Sequence, residues 1–170
     1  MSVTREGTAV PAMVGTGFGG LWACIAALAL PAPWRNWMLL SAGIVTLALI
    51  VRLWRYPAPK SGDGRLFRTR AYRAAVIAEL AAICAAWLLL PGIGLQAYVI
   101  QILGIIVGLH FIGLWAADRA RRLLILAASM CILSSLAALL PETAGPVHVR
   151  DAATGLGNAL LLWVCAGWRP

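Results

Sequence analysis

Apolar residues fall into six long runs, at 13–31, 36–54, 72–90, 96–116, 122–140 and 152–168, and the polar residues are gathered between them. A helix rises 1.5 Å per residue, so about 20 apolar residues cross a bilayer's hydrocarbon core, and each run approaches that length. The pattern predicts an all-α, polytopic membrane protein built as a six-transmembrane-helix bundle in a single domain, 1–170. Runs two and three are separated by 55–71, where prolines, glycines and charges collect. This is the one substantial loop, and the positive-inside reasoning below makes it cytoplasmic.

The three outward-going runs end alike, at Leu30-Pro31, Leu90-Pro91 and Leu140-Pro141, because proline cannot continue a helix interior. The returning runs share a register: Gly43 to Trp54, Gly104 to Trp115 and Gly157 to Trp168 each place tryptophan eleven residues after glycine. That suggests three tandem α-hairpins. Tryptophans collected at the membrane interfaces of any helical bundle would produce similar spacings, so both readings stand.

Helices in lipid associate through small residues that let backbones approach. Gly17, Gly20, Cys24 and Ala27 form such a stripe on the first helix, Ala127, Cys131, Ser134 and Ala138 on the fifth, and Gly104 and Gly108 on the fourth. At about 100° per residue His110 lies roughly opposite the Gly104/Gly108 face. The fourth helix is therefore expected to have protein on two sides and a central place.

Composition narrows the class further. The 170 residues are 62% hydrophobic and 12% charged, against about 25% charged in an ordinary soluble domain. The net charge of +8 sits between the apolar runs, where basic residues fix topology and meet anionic headgroups. The expected partners are the lipid bilayer and either a second copy or another membrane protein. Nucleic acid is not expected, since neither a basic helix face nor an aromatic platform is visible.

With the N-terminus inside, Arg5, Arg52, Arg55, Lys60, Arg65, Arg68, Arg70, Arg73, Arg119, Arg121, Arg122 and Arg169 all fall on the cytoplasmic side, 12 of the 14 basic residues. Only Arg35 and Arg150 fall outside. The expected location is the bacterial inner (plasma) membrane, multi-pass, with both termini cytoplasmic. Residues 1–12 lack the order of a signal peptide, so the first helix is expected to stay in the mature protein. Cys24, Cys84, Cys131 and Cys165 occupy four different runs without C-x-x-C spacing, which excludes a disulfide framework and reads as packing.

Candidate chemistry rests on the few polar residues within the runs. Glu79 is the one acidic residue inside a span, and an ionisable group there requires a partner. At 1.5 Å per residue Glu79 lies ~18 Å and His110 ~21 Å from the same outer end, on helices joined by a short turn. The two are expected to form a buried polar pair, with Ser129 at about the same level. Gln101 and Asn158 form a second, outer layer, with Thr154 one turn above Asn158; these amides are expected to satisfy each other. The pair reads either as a proton-handling or cation-coordinating site or as a polar clamp fixing the register of helices three and four. His148 is expected to be solvated in an outer loop.

Two ligands in one layer are too few for a metal centre, so none is expected. The serines lack a G-x-S-x-G elbow and a second histidine in a span, so no catalytic residues are assigned and an enzyme is less expected than a non-enzyme. Glycine pairs such as Gly155 and Gly157 lack the strand-turn-helix context of nucleotide phosphate sites, and no cofactor is expected.

Gly108-Leu109-His110-Phe111-Ile112, followed by an arginine cluster, resembles a motif of small uncharacterised bacterial six-helix inner-membrane proteins; Glu79 and Gly155-Leu156-Gly157-Asn158 are similar too. The resemblance covers most of the chain and implies a fold and a location, with no activity attached. Two functions follow as expectations: proton-coupled or small-solute transport using Glu79 and His110, or a non-enzymatic structural or assembly role with the pair as a packing clamp.

Overall fold

The computed structural model describes residues 9–55 and 70–167. The loop expected at 55–71 lies outside the described residues for almost all its length. Among the described residues there is no strand, and six α-helices follow in order: α1 (Ala9–Leu28), α2 (Trp34–Arg55), α3 (Arg70–Leu89), α4 (Val99–Asp118), α5 (Arg121–Ala138) and α6 (Val149–Gly167). Each coincides with one of the six apolar runs. Pro91 opens a 3-10 turn after α3, Pro91–Ile93, and Gly94 closes it with φ of 77°, a left-handed conformation that glycine adopts without steric cost. A second such turn, Gln96–Tyr98, leads into α4.

The chain is an integral membrane protein by its helices. Trp34–Arg55, Tyr72–Leu89, Gln96–Ala116 and Arg121–Ala138, the spans of α2 to α5, are each long and apolar enough to cross a bilayer. The apolar part of α1, Ala12–Leu28, is shorter, and α6 opens with Arg150 and Asp151. These two helices make the most extensive helix–helix contact in the molecule, with each other. Polar groups on α6 are thus turned toward protein, the arrangement that makes them tolerable at membrane depth.

Side by side, the helices run α2, α1, α6, α5, α4, α3, and a smaller α4–α6 contact draws the middle together. α6 touches α1, α5, α4 and α2, so the central place expected for α4 is shared with α6. The reason is visible in its face: Arg150, Thr154, Gly155, Asn158, Ala159 and Leu162 are buried, while Leu156, Leu160 and Val164 point outward. Consecutive helices α1/α2, α3/α4 and α5/α6 pack as hairpins, but the α1/α6 and α4/α5 contacts are both larger. The glycine register of the three returning helices also serves no common contact. Gly43 faces open space, whereas Gly104 and Gly157 are crowded by neighbouring helices.

Close backbone approach depends on specific glycines. A Cβ on Gly155 would stand 2.6 Å from the Ala26 nitrogen and 2.8 Å from the Trp22 carbonyl oxygen, so α1 and α6 cross backbone to backbone there. The expected packing role of Gly20 holds against Thr46 of α2. That of Gly17 does not: it is exposed, with nothing within 4 Å of a Cβ placed on it. The face of α1 that meets α6 is instead Gly19, Trp22, Ala23 and Ala26, all buried. A stripe drawn through Gly17 runs along the side of that face, because two neighbours, α2 and α6, share α1 and split its small residues between them.

Candidate functional site

α4 carries polar contacts on two opposite faces. Toward α3, His110 Nδ1 lies 3.3 Å from Glu79 Oε2 and 3.3 Å from the Ala75 carbonyl oxygen. Ala75 and Glu79 are one turn apart on α3, so a single proton on Nδ1 addresses two successive turns of that helix. The Phe111 ring stands edge-on to the imidazole at 5.8 Å. Gly113, one turn further along α4, would bring a Cβ within 2.9 Å of Ala75 Cβ, and this closeness seats α3 on α4. His110 and Glu79 side chains retain 10% and 13% of their surface. No hydrogen bond engages His110 Nε2 among the described residues.

Ser129, expected in the same layer, is half-buried on α5 and forms no hydrogen bond to the pair. Depth alone suggested it. α5 packs on the other side of α4, through Gly108, whose Cβ would lie 2.7 Å from Cys131 Sγ. His110 points the opposite way, as the helical wheel requires.

Toward α5 and α6, the outer layer is more extensive than the sequence suggested. Gln101 and Asn158 do not bond to each other. The Gln101 amide Nε2 donates to Asp151 Oδ1 at 3.0 Å and to Thr154 Oγ1 at 3.1 Å. Asn158 Nδ2 donates to Ser134 Oγ on α5 at 3.3 Å. Gly104 makes room for that last contact, since a Cβ there would collide with Ser134 Oγ and lie 2.8 Å from Asn158 Nδ2. The amides sit one turn apart in depth, so each bonds the hydroxyl at its own level instead of the other amide.

Arg150, which the sequence reading only counted on the non-cytoplasmic side, is buried at 8% exposure. Its Nε and Nη2 donate to the Leu140 carbonyl at 3.2 and 3.1 Å, and Nη1 donates to the Ala97 carbonyl at 3.3 Å. Its guanidinium also lies 4.3 Å from the Tyr98 ring centroid. These contacts cap the free carbonyl end of α5 and tie it to the start of α4. Arg150, Thr154 and Asn158 are spaced four residues apart, one helical face, and that periodicity is the signal by which Arg150 belongs with the polar layer. Ser134 carried the same kind of signal, as part of the small-residue stripe on α5.

The remaining sites behave simply. His148 is exposed, and its N–H donates to the Ala29 carbonyl at 3.0 Å. All four cysteines are free. Among the described residues no cluster of three or more His, Cys, Asp or Glu is placed to hold a metal ion. At the opposite end of α4 from Gln101, Arg119 lies 5.0 Å from the Trp115 ring centroid, a cationic and aromatic pairing suited to a headgroup interface.

No family model, curated protein or solved structure matches the chain.

Proposed function

We propose that this is a multi-pass protein of the bacterial inner membrane, with both termini cytoplasmic, that moves protons or a small solute coupled to protons and uses Glu79 and His110 as its proton-handling pair. One observation carries the reading: a carboxylate and an imidazole meet at 3.3 Å within two apolar helices, while among the described residues the other imidazole nitrogen has no hydrogen bond. An ionisable pair inside a membrane is costly to keep and exchanges protons readily, which makes function the first explanation to test. The inner-membrane location rests on the distribution of lysine and arginine and on the resemblance of the Gly108–Ile112 segment to six-helix inner-membrane proteins.

A second reading has its own support. Because Nδ1 also faces the Ala75 carbonyl, the pair grips two turns of α3, and its role is then to hold that helix on the bundle of a structural or assembly component.

The deciding measurement is proton flux into proteoliposomes carrying an internal pH-sensitive dye. Glu79→Gln or His110→Gln with unchanged thermal stability and abolished flux supports the proton-handling site. Unchanged flux, or no flux from the wild type, with lowered thermal stability in the variants, leaves the clamp. Reporter fusions to each terminus test the orientation, and a periplasmic C-terminus would overturn it.

A further inference from the structure

The junction of α4, α5 and α6 contains two acceptors that no group among the described residues satisfies. Gln101 Oε1 and Asn158 Oδ1 are both fully enclosed and have no hydrogen-bond partner, and their residues are 1% and 0% exposed. Both amide nitrogens are engaged, so each oxygen is turned away from the hydroxyl or carboxylate that its own nitrogen contacts. Reorienting Gln101 would set its oxygen against the Asp151 carboxylate, exchanging one unmet acceptor for a repulsive contact. An amide oxygen buried without a donor costs about 1–3 kcal/mol, and two in one junction call for an occupant that donates.

Charge selects the occupant. Among the described residues the ionic groups that the junction's polar network engages are Arg150 and Asp151, one of each sign. Arg150 is committed to the Leu140 and Ala97 carbonyls and Asp151 receives the Gln101 amide, so the set is already neutral. A cation bound to the two oxygens would add net charge at membrane depth, whereas water supplies two donors without charge.

We infer that this junction is an internal hydration site, in which bound water donates to Gln101 Oε1 and Asn158 Oδ1 and extends the Arg150–Asp151–Thr154 polar face from the outer end of α6 toward Asn158. The site stands on different residues and a different face of α4 from the Glu79–His110 pair, so its fate is independent of the proposed function.

Nuclear magnetic resonance on the full chain in lipid nanodiscs tests it. Magnetisation transfer from water to the side-chain amide protons of Gln101 and Asn158 is expected, together with loss of their intensity on water saturation, while Asn158 remains within contact distance of Ser134. Absence of transfer at both amides would show a dry junction and overturn the inference. So would a saturable shift of both amides on titration with sodium or potassium chloride, which would identify a cation. An Asn158 rotated so that its oxygen accepts from Ser134 would overturn the site at Asn158.

Discussion

The two faces of α4 bind their neighbours in different ways. Toward α3 there is one ionisable contact, His110 to Glu79, backed by the approach of Gly113 to Ala75. Toward α5 and α6 there is a network in which Gln101, Asp151, Thr154, Asn158 and Ser134 each bond at least one other member, and Gly104 and Gly108 both bring backbone into contact. One side depends on a single pair at the flank of the bundle; the other spreads its polar contacts over three helices. A chemically active pair is easiest to accommodate at the flank, where changing its charge state disturbs one helix contact. The junction has the opposite property, since altering any member exposes others.

Substitutions on matched positions test that contrast. The largest effect is expected from Gly104→Leu, which forces a side chain into Ser134 and Asn158 and is expected to cost about 3 kcal/mol, against about 1 kcal/mol for Gly113→Leu. Thermal unfolding in detergent compares them, and equal losses would erase the distinction between the faces. Next is Arg150→Met, which leaves the Leu140 and Ala97 carbonyls without their donor and is expected to destabilise by about 1–3 kcal/mol. Accelerated proteolysis near residues 139–149 would be the local sign. A double-mutant cycle of Glu79→Gln and His110→Gln should return a coupling near 0.6 kcal/mol, the average for polar contacts between membrane helices, and at most ~1.7 kcal/mol. A larger coupling would make the flank as structural as the junction. The smallest effects, within about 0.5 kcal/mol, are expected from Ser129→Ala and Gly17→Ala.

The existence and order of the six helices were legible because length and apolarity set them, whereas their ends shift by up to four residues, as at the start of α1, Ala9 against 13. So was the meeting of Glu79 and His110, since a short turn at Pro91 leaves the two helices little choice of register. The opposition of His110 to Gly104 and Gly108 followed from the helical repeat and matches their actual neighbours. Which small residues pack was only partly legible. Gly17 and Gly19 look alike in the sequence, and only the positions of two neighbouring helices decide that Gly19 is buried and Gly17 exposed. The burial of Arg150 was not legible from a count of charges, because a guanidinium with an aliphatic stem is satisfied in the interior once the Leu140 and Ala97 carbonyls and the Tyr98 ring are at hand.

The embrace of α1 by α6 bears on how the protein is made. Trp163 Nε1 donates to the Thr16 carbonyl at 3.3 Å across 147 residues of sequence, and Gly155 meets the backbone of Ala26 on the same interface. During synthesis α1 enters the membrane before its principal neighbour has left the ribosome, and until then Gly19, Ala23 and Ala26 face lipid or whatever else is within reach. Insertion of α6 is thus the event that gives α1 its largest helix contact. A nascent chain halted after α5 would display that small-residue face of α1 unshielded, a physical feature that membrane quality-control machinery would meet in a chain lacking α6.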